Sequence, residues 1–468
     1  MLISGLALSA GCTGGVDAND GDAGETGDAL APTWHQDVAP LVTERCAGCH
    51  RSGGIAPFSM EAYETAMPWA TLMAGAVEVG IMPPWGAAVT EECAPPHDLK
   101  NDPTLDDEEK AMLRAWADAG APEGDPETAA ELPEPPSLEL ADADRTLTIP
   151  TEVSVSGNDD AFYCFVVDAG LDSLTFLEAT QINPGNSGIV HHVLVYATTS
   201  DEADTKAGAD GYYECFGGVG IDDSDLIAAW APGAQPNRTP ANAPMALQPG
   251  TKLVINVHYH PTGAGVESDA STSVDLKFFD QGLPEYVSVL ALIGNFSDAV
   301  SGGQGLLDGE NDLGGTPQFR IPAGETAHVE NMMWTVTPDL PDELRIWQVG
   351  THMHYVGQDM MMRVERGETS TAAGDEDFCL LQTPRWDFNW QRGYVYDADL
   401  ESVPRLRHGD EVHFRCTYDN SLGNGAVADA LESQGLSEPT DVYLGEETLD
   451  EMCLGVFGIA VPLADVAP

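Results

Sequence analysis

Ile189-Val190-His191-His192-Val193-Leu194-Val195-Tyr196 and Lys252-Leu253-Val254-Ile255-Asn256-Val257-His258-Tyr259 are short runs of Val, Ile, Leu and Tyr that also carry histidines. That composition suits a strand packed on a pleated surface. Similar runs recur from about residue 143 to the C-terminus, punctuated by Gly, Pro, Asn and Asp, and together they predict an all-β region. About 325 residues are too many for one ordinary sandwich, so two tandem antiparallel β-sandwiches of jelly-roll type are expected, over 143–287 and 288–468.

Upstream the pattern changes. Residues 34–120 read as helical, most clearly in Leu105-Asp106-Asp107-Glu108-Glu109-Lys110-Ala111-Met112-Leu113-Arg114-Ala115-Trp116. Acidic residues open that helix, and Leu113 and Trp116 share a face. A proline-rich acidic linker follows at 121–142, and 13–33, rich in Gly, Asp, Ala and Thr, reads as a flexible tether. The start, 1–12, ends in Leu8-Ser9-Ala10-Gly11-Cys12, which resembles a bacterial lipobox with Cys12 as the lipidated residue. The basic n-region of an export signal is missing, since the first Lys or Arg is Arg45. The expectation is an exported periplasmic or cell-surface lipoprotein of a bacterium, held by a lipid anchor; the bland alternative is an unstructured apolar terminus.

With 77 acidic and 19 basic residues the formal charge is −58, which repels nucleic acid and anionic lipid headgroups. No nucleic-acid partner is expected. No stretch reaches the roughly 18 consecutive apolar residues that a membrane span needs.

Cys46-Ala47-Gly48-Cys49-His50 fits the C-x-x-C-H attachment pattern of a c-type haem, with His50 as the proximal iron ligand. Lying in a helical segment of suitable size, it predicts a small all-α cytochrome c-like domain at 34–120 with one covalently attached haem. Met82, on the proline-stiffened loop Ile81-Met82-Pro83-Pro84-Trp85, is the expected sixth ligand, with Met60, Met67, Met73 and His97 as competitors. A Met/His pair leaves no open position on the iron and suits electron transfer.

Six of the twelve histidines fall in close pairs: His191-His192, His258-Tyr259-His260 and His352-Met353-His354. Residues two apart on a strand project from one face, so His352 and His354 can converge on one ion. Adjacent His191 and His192 project to opposite faces unless a bend or bulge intervenes. Imidazole serves zinc, copper, iron and nickel alike, so the histidines by themselves leave the metal undecided.

Residues 145–465 resemble the copper type II ascorbate-dependent monooxygenases. The resemblance rests on Val190-His191-His192-Val193, Trp230-Ala231-Pro232-Gly233, Val257-His258-Tyr259-His260, Thr351-His352-Met353-His354 and Asp450-Glu451-Met452-Cys453, in the family's order. It implies two copper ions, one held by His191, His192 and His258 with His260 as a neighbour, the other, oxygen-activating, by His352, His354 and Met452. It implies disulfides Cys164–Cys215 and Cys416–Cys453. Cys93 and Cys379 are left over, either to pair across the cytochrome and catalytic domains or to remain thiols. The implied partners are O2, a small-molecule substrate and an electron donor, which is ascorbate or a redox protein; the fused haem is expected to feed electrons to the first copper, replacing or supplementing ascorbate.

The peptide-amidating members hold a substrate carboxylate with an arginine two residues before the His-x-His pair and a tyrosine four after the ligand methionine. Gly350 and Val456 stand there, so peptide amidation is not expected and the substrate stays open. Two other readings compete: a non-catalytic copper-binding or electron-transfer lipoprotein, and a zinc hydrolase, which lacks the Glu general base of an H-E-x-x-H motif.

Overall fold

The computed structural model describes residues 31–466 apart from 53, 55, 136–138, 158–159, 216–217, 233, 298, 301–303, 310–311, 313–315, 373 and 446–448. The expected signal at 1–12 and most of the tether at 13–33 lie outside the described residues. Among the described residues no helix is long and apolar enough to cross a membrane.

The N-terminal part is built of short helices around a small apolar cluster that includes Trp34, Val38, Val42, Met73, Leu113 and Trp116. Its longest helix, Asp107–Asp118, starts where the sequence predicts. Asp106 accepts from the Glu109 backbone N–H and the Glu109 carboxylate accepts from that of Asp106, a reciprocal cap that satisfies two free donors of the first turn. Leu113 and Trp116 are its buried residues.

From Arg145 onward the described chain is mostly β structure. A ten-stranded sheet runs through both halves of this region, and five- and six-stranded sheets complete its main layers. The halves of the large sheet meet where strand Tyr286–Gly294 pairs in parallel with Met245–Leu247 at Ser288 and antiparallel with Leu454–Pro462. The expected boundary at 287/288 therefore falls inside one strand of a shared sheet. Ser288 secures the junction by donating its hydroxyl to Ala243 O at 2.6 Å.

The five-stranded sheet carries Ala161–Asp168, Lys252–Tyr259, Val190–Thr198 and Asp225–Trp230 side by side. Lys252–Tyr259 is its central strand and is buried on both faces, which explains its unbroken apolar run. In the C-terminal half, Leu454–Pro462 packs across the core onto the six-stranded sheet, with Phe457 edge-on to Phe414 at 6.2 Å.

Three disulfides close the structure: Cys164–Cys215, Cys416–Cys453 and Cys93–Cys379, with Cα separations of 5.8, 6.0 and 5.3 Å. The third ties the N-terminal part to the C-terminal half and resolves the choice left open for those two cysteines. Around it the segment 85–100 leaves the helical cluster and lies along the C-terminal half. Ala88 N–H donates to Gln382 O, Lys100 N–H donates to Val395 O, and Trp85 stands edge-on to Tyr394 at 4.9 Å.

Candidate metal centre

His192 and His258 face each other on neighbouring strands. The pairing runs His258 to His192 and then Tyr259 to Val190, so His191 is the extra residue of a bulge. The bulge turns His191 toward the side that His192 already occupies, which a regular strand forbids. Ring centroids stand 5.4 Å apart for His191 and His192, 4.9 Å for His191 and His258, and 4.7 Å for His192 and His258. One ring nitrogen from each of the three lies within 4.8 Å of the others.

Burial pushes the His191 imidazole down to about 4, with His258 adding to the shift. Burial, then His258 and His191, hold His192 well below the ordinary value. Neutral imidazole, the form that ligates a metal, is thus the resting state of both rings. Asp160 lies behind the trio, 3.3 Å from His258 Nε2 and 2.7 Å from His260 Nδ1. The first contact is close enough for charge attraction but not aligned as a hydrogen bond, since His258 Nε2 has no hydrogen-bond partner. Burial by itself would raise the Asp160 carboxyl; His258 and His260 outweigh it and hold it at about 2. His260 points largely to solvent, a neighbour rather than a member of the trio.

The second group assembles differently. His352 ends strand Glu343–His352, and His354 follows in the turn beyond it, with ring centroids 5.3 Å apart and the rings nearly perpendicular. His352 Nδ1 is 2.7 Å from Gln391 Oε1, and His354 Nδ1 is 3.0 Å from Asp450 O. Each contact fixes the orientation of a ring through Nδ1. Burial first, then His354, push the His352 ring down to about 3.

Met452 enters from the far end of the sequence and lines the same cavity as His352 and His354. Three restraints hold it. Cys453 is bridged to Cys416, Tyr418 Oη donates to Met452 O at 2.9 Å, and the fully buried Glu451 accepts the backbone N–H groups of His354, Val356 and Met452. Burial lifts the Glu451 carboxyl to about 8 even though those backbone donors favour its anion.

His192 and His258 of the trio, and His352, His354 and Met452, line one cavity of about 540 Å³. Phe388 stands between them, stacked on His191 at 5.5 Å, edge-on to His354 at 5.9 Å, and 4.3 Å from Tyr355. Gly350 and Val456 pair directly across adjacent strands, and Val456 lines the cavity beside Leu290, Leu292 and Leu454.

In the helical part, Cys46 and Cys49 are free thiols. Burial, followed by Cys49, pushes the Cys46 thiol up to about 12. His50 is buried, its Nδ1 3.1 Å from Phe58 O. Met82, like Cys46 and Phe58, packs against the cluster that contains the buried Met60 and Met73. His97 is engaged elsewhere, with Nε2 2.7 Å from Ser402 O, and Met67 is exposed.

Sequence reasoning did not single out Asp160, Gln391, Glu451 or Phe388. Glu451 has a signal in hindsight, being a carboxylate next to the quoted methionine. Gln391 and Phe388 have none, since nothing local marks a residue that reaches a histidine ring far along the chain.

No family model matches the chain, and no curated protein matches it. Among solved structures it is similar to the major capsid protein P2 of bacteriophage PM2, at 8% identity and a TM-score of 0.23, over 68% of this chain and 97% of that one. It is also similar to the tandem CBM22 domains of Paenibacillus barcinonensis Xyn10C, at 10% identity and a TM-score of 0.17, over 68% and 82% of the two chains.

Proposed function

We propose that the chain is an exported copper-dependent monooxygenase, similar to the copper type II ascorbate-dependent family, that hydroxylates a C–H bond of a small organic substrate with O2. In this reading the β region forms two jelly-roll-type sandwiches that share a sheet, and residues 34–120 form a c-type cytochrome domain that relays electrons. The observation that carries the reading is a histidine trio, two of whose rings line the same cavity as the His-x-His pair and Met452.

The donor sets suit copper. His191, His192 and His258 would hold one ion, and His352, His354 and Met452 the other; a soft thioether favours Cu(I). When bound, the two ions supply one-electron chemistry with O2. The chain contributes neutral imidazoles, the Gln391 and Asp450 acceptors that orient two of them, and Phe388 and Tyr355 as an aromatic wall between the sets. Leu290, Leu292, Leu454 and Val456 give a substrate skeleton an apolar surface.

Haem attachment is supported by Cys46 and Cys49, which stay unbridged while the other described cysteines all form disulfides. The contact of His50 Nδ1 with Phe58 O leaves Nε2 for iron. Met82 is the proposed sixth ligand, and the attached group supplies single-electron transfer. Three disulfides point to an oxidising, exported environment, and the lipid anchor at Cys12 is part of the proposal.

Metal analysis of the purified protein tests this, with two coppers and one haem iron per chain expected. Oxygen uptake with ascorbate and a substrate panel separates an enzyme from a carrier. A chain that binds no copper overturns the reading, and one that binds copper but never consumes oxygen is a carrier.

A further inference from the structure

We propose that Arg392 anchors a carboxylate of the substrate, so that the cavity takes organic acids with an apolar skeleton. The oxidation of such an acid rests on the monooxygenase reading; its binding does not.

The cavity runs against the charge of the chain. The formal charge is −58, yet the charged residues that line the cavity, histidines aside, are Lys100, Arg392 and Asp160. Asp160 is committed to His258 and His260. What is left for a ligand is cationic, on walls otherwise dominated by apolar side chains.

Arg392 is the informative one. Five arginines among the described residues bury an Nε that meets no acceptor. Arg45, Arg366 and Arg415 satisfy their charge through other nitrogens, on Glu109, Asp410, and Glu92 with Asp359, and Arg51, which like Arg392 has no ion pair among the described residues, does not line the cavity. Arg392 has no ion pair among the described residues, and its guanidinium lies over the Trp85 ring at 5.3 Å. A partly buried cation without a counter-ion is costly, and a planar fork resting on an aromatic face is well placed to receive a carboxylate.

Its position fits substrate binding. Arg392 follows Gln391, which holds His352, and precedes Gly393, which pairs with Gly350 on the strand that ends in His352. An acid held there would lay its skeleton toward Leu454 and Val456, on the wall that also carries Met452. Position 350 is glycine, and Arg392 stands immediately before the neighbouring strand Gly393–Val395.

Cys49 also feels Arg392, so the other carboxylate source is a haem propionate. The test is calorimetric binding of octanoate and of its neutral counterpart octanamide to the copper- and haem-loaded protein, compared with R392Q and R392K. Octanoate should bind the unaltered protein about tenfold more tightly than octanamide, lose that advantage in R392Q and keep most of it in R392K. Equal affinities in the unaltered protein, or a preference that survives in R392Q, overturn the proposal. So does a preference that survives while the haem midpoint potential shifts, because that assigns the guanidinium to a propionate. Should R392Q not fold, the unaltered protein and R392K decide, the latter again by whether octanoate is preferred. Missing copper or oxygen uptake would defeat the monooxygenase reading and leave the octanoate preference standing.

Discussion

The two histidine groups face one cavity but are built by opposite means. The trio of His191, His192 and His258 is made by register: two neighbouring strands of one sheet, with a single bulge, bring three rings together. The second group is made by clamping. His352 and His354 come from a strand end, Met452 arrives about a hundred residues later, and a disulfide, a buried carboxylate and a tyrosine hold the segments together. A site made by register shares the cooperativity of its sheet, whereas a clamped site depends on a few removable contacts and can shift without unfolding the core.

The sharpest way to break the comparison is His352→Ala. It should reduce oxygen uptake to background and lower the copper count from two to one, while the haem absorption band and the trio's copper stay. Turnover retained in this variant would remove the second group from the chemistry.

Removing the clamp comes next. Cys416→Ser with Cys453→Ser should cost about 2–5 kcal/mol of stability, the usual range for a native disulfide, read as a fall in Tm. Copper at the second group should weaken as well, whereas Cys164→Ser with Cys215→Ser should lower Tm but leave copper at the second group unaffected.

A smaller effect is expected from the oriented ring. Gln391→Leu removes the partner of His352 Nδ1 and should weaken copper at the second group by about 10–100-fold, the range for such supporting contacts. Asp160→Asn should do less to the trio, since its contact with His258 is not aligned as a hydrogen bond. Copper titrations of the two variants check the ranking.

The smallest difference is in acid. Protons compete with copper only when the pH falls to the pKa of the rings, and depressed values carry metal binding to lower pH. Both groups should keep copper at pH 5, well below the ordinary histidine value. The trio should begin to release it near pH 4 and the second group nearer pH 3, following His191 and His352. Dialysis across this range with copper analysis checks the order.

Strand-forming runs and helix Asp107–Asp118, with its acidic first turn and its Leu113/Trp116 face, were legible in the sequence. Each depends on neighbours a few residues apart, where side-chain period and backbone propensity act directly. His352 and His354 were expected on one strand, but the strand ends at His352. Two disulfide pairings were implied by resemblance and occur in the structure.

Tertiary structure alone decided the rest. The sheet common to both halves, the bulge at His191, the Cys93–Cys379 link, the path of 85–100 along the C-terminal half, and the placement of Gln391, Asp160 and Arg392 depend on partners tens to hundreds of positions away. Register and loop docking are fixed by the packing of the whole core, because slipping a strand by one residue turns every side chain to the opposite face, and no local pattern encodes that cost.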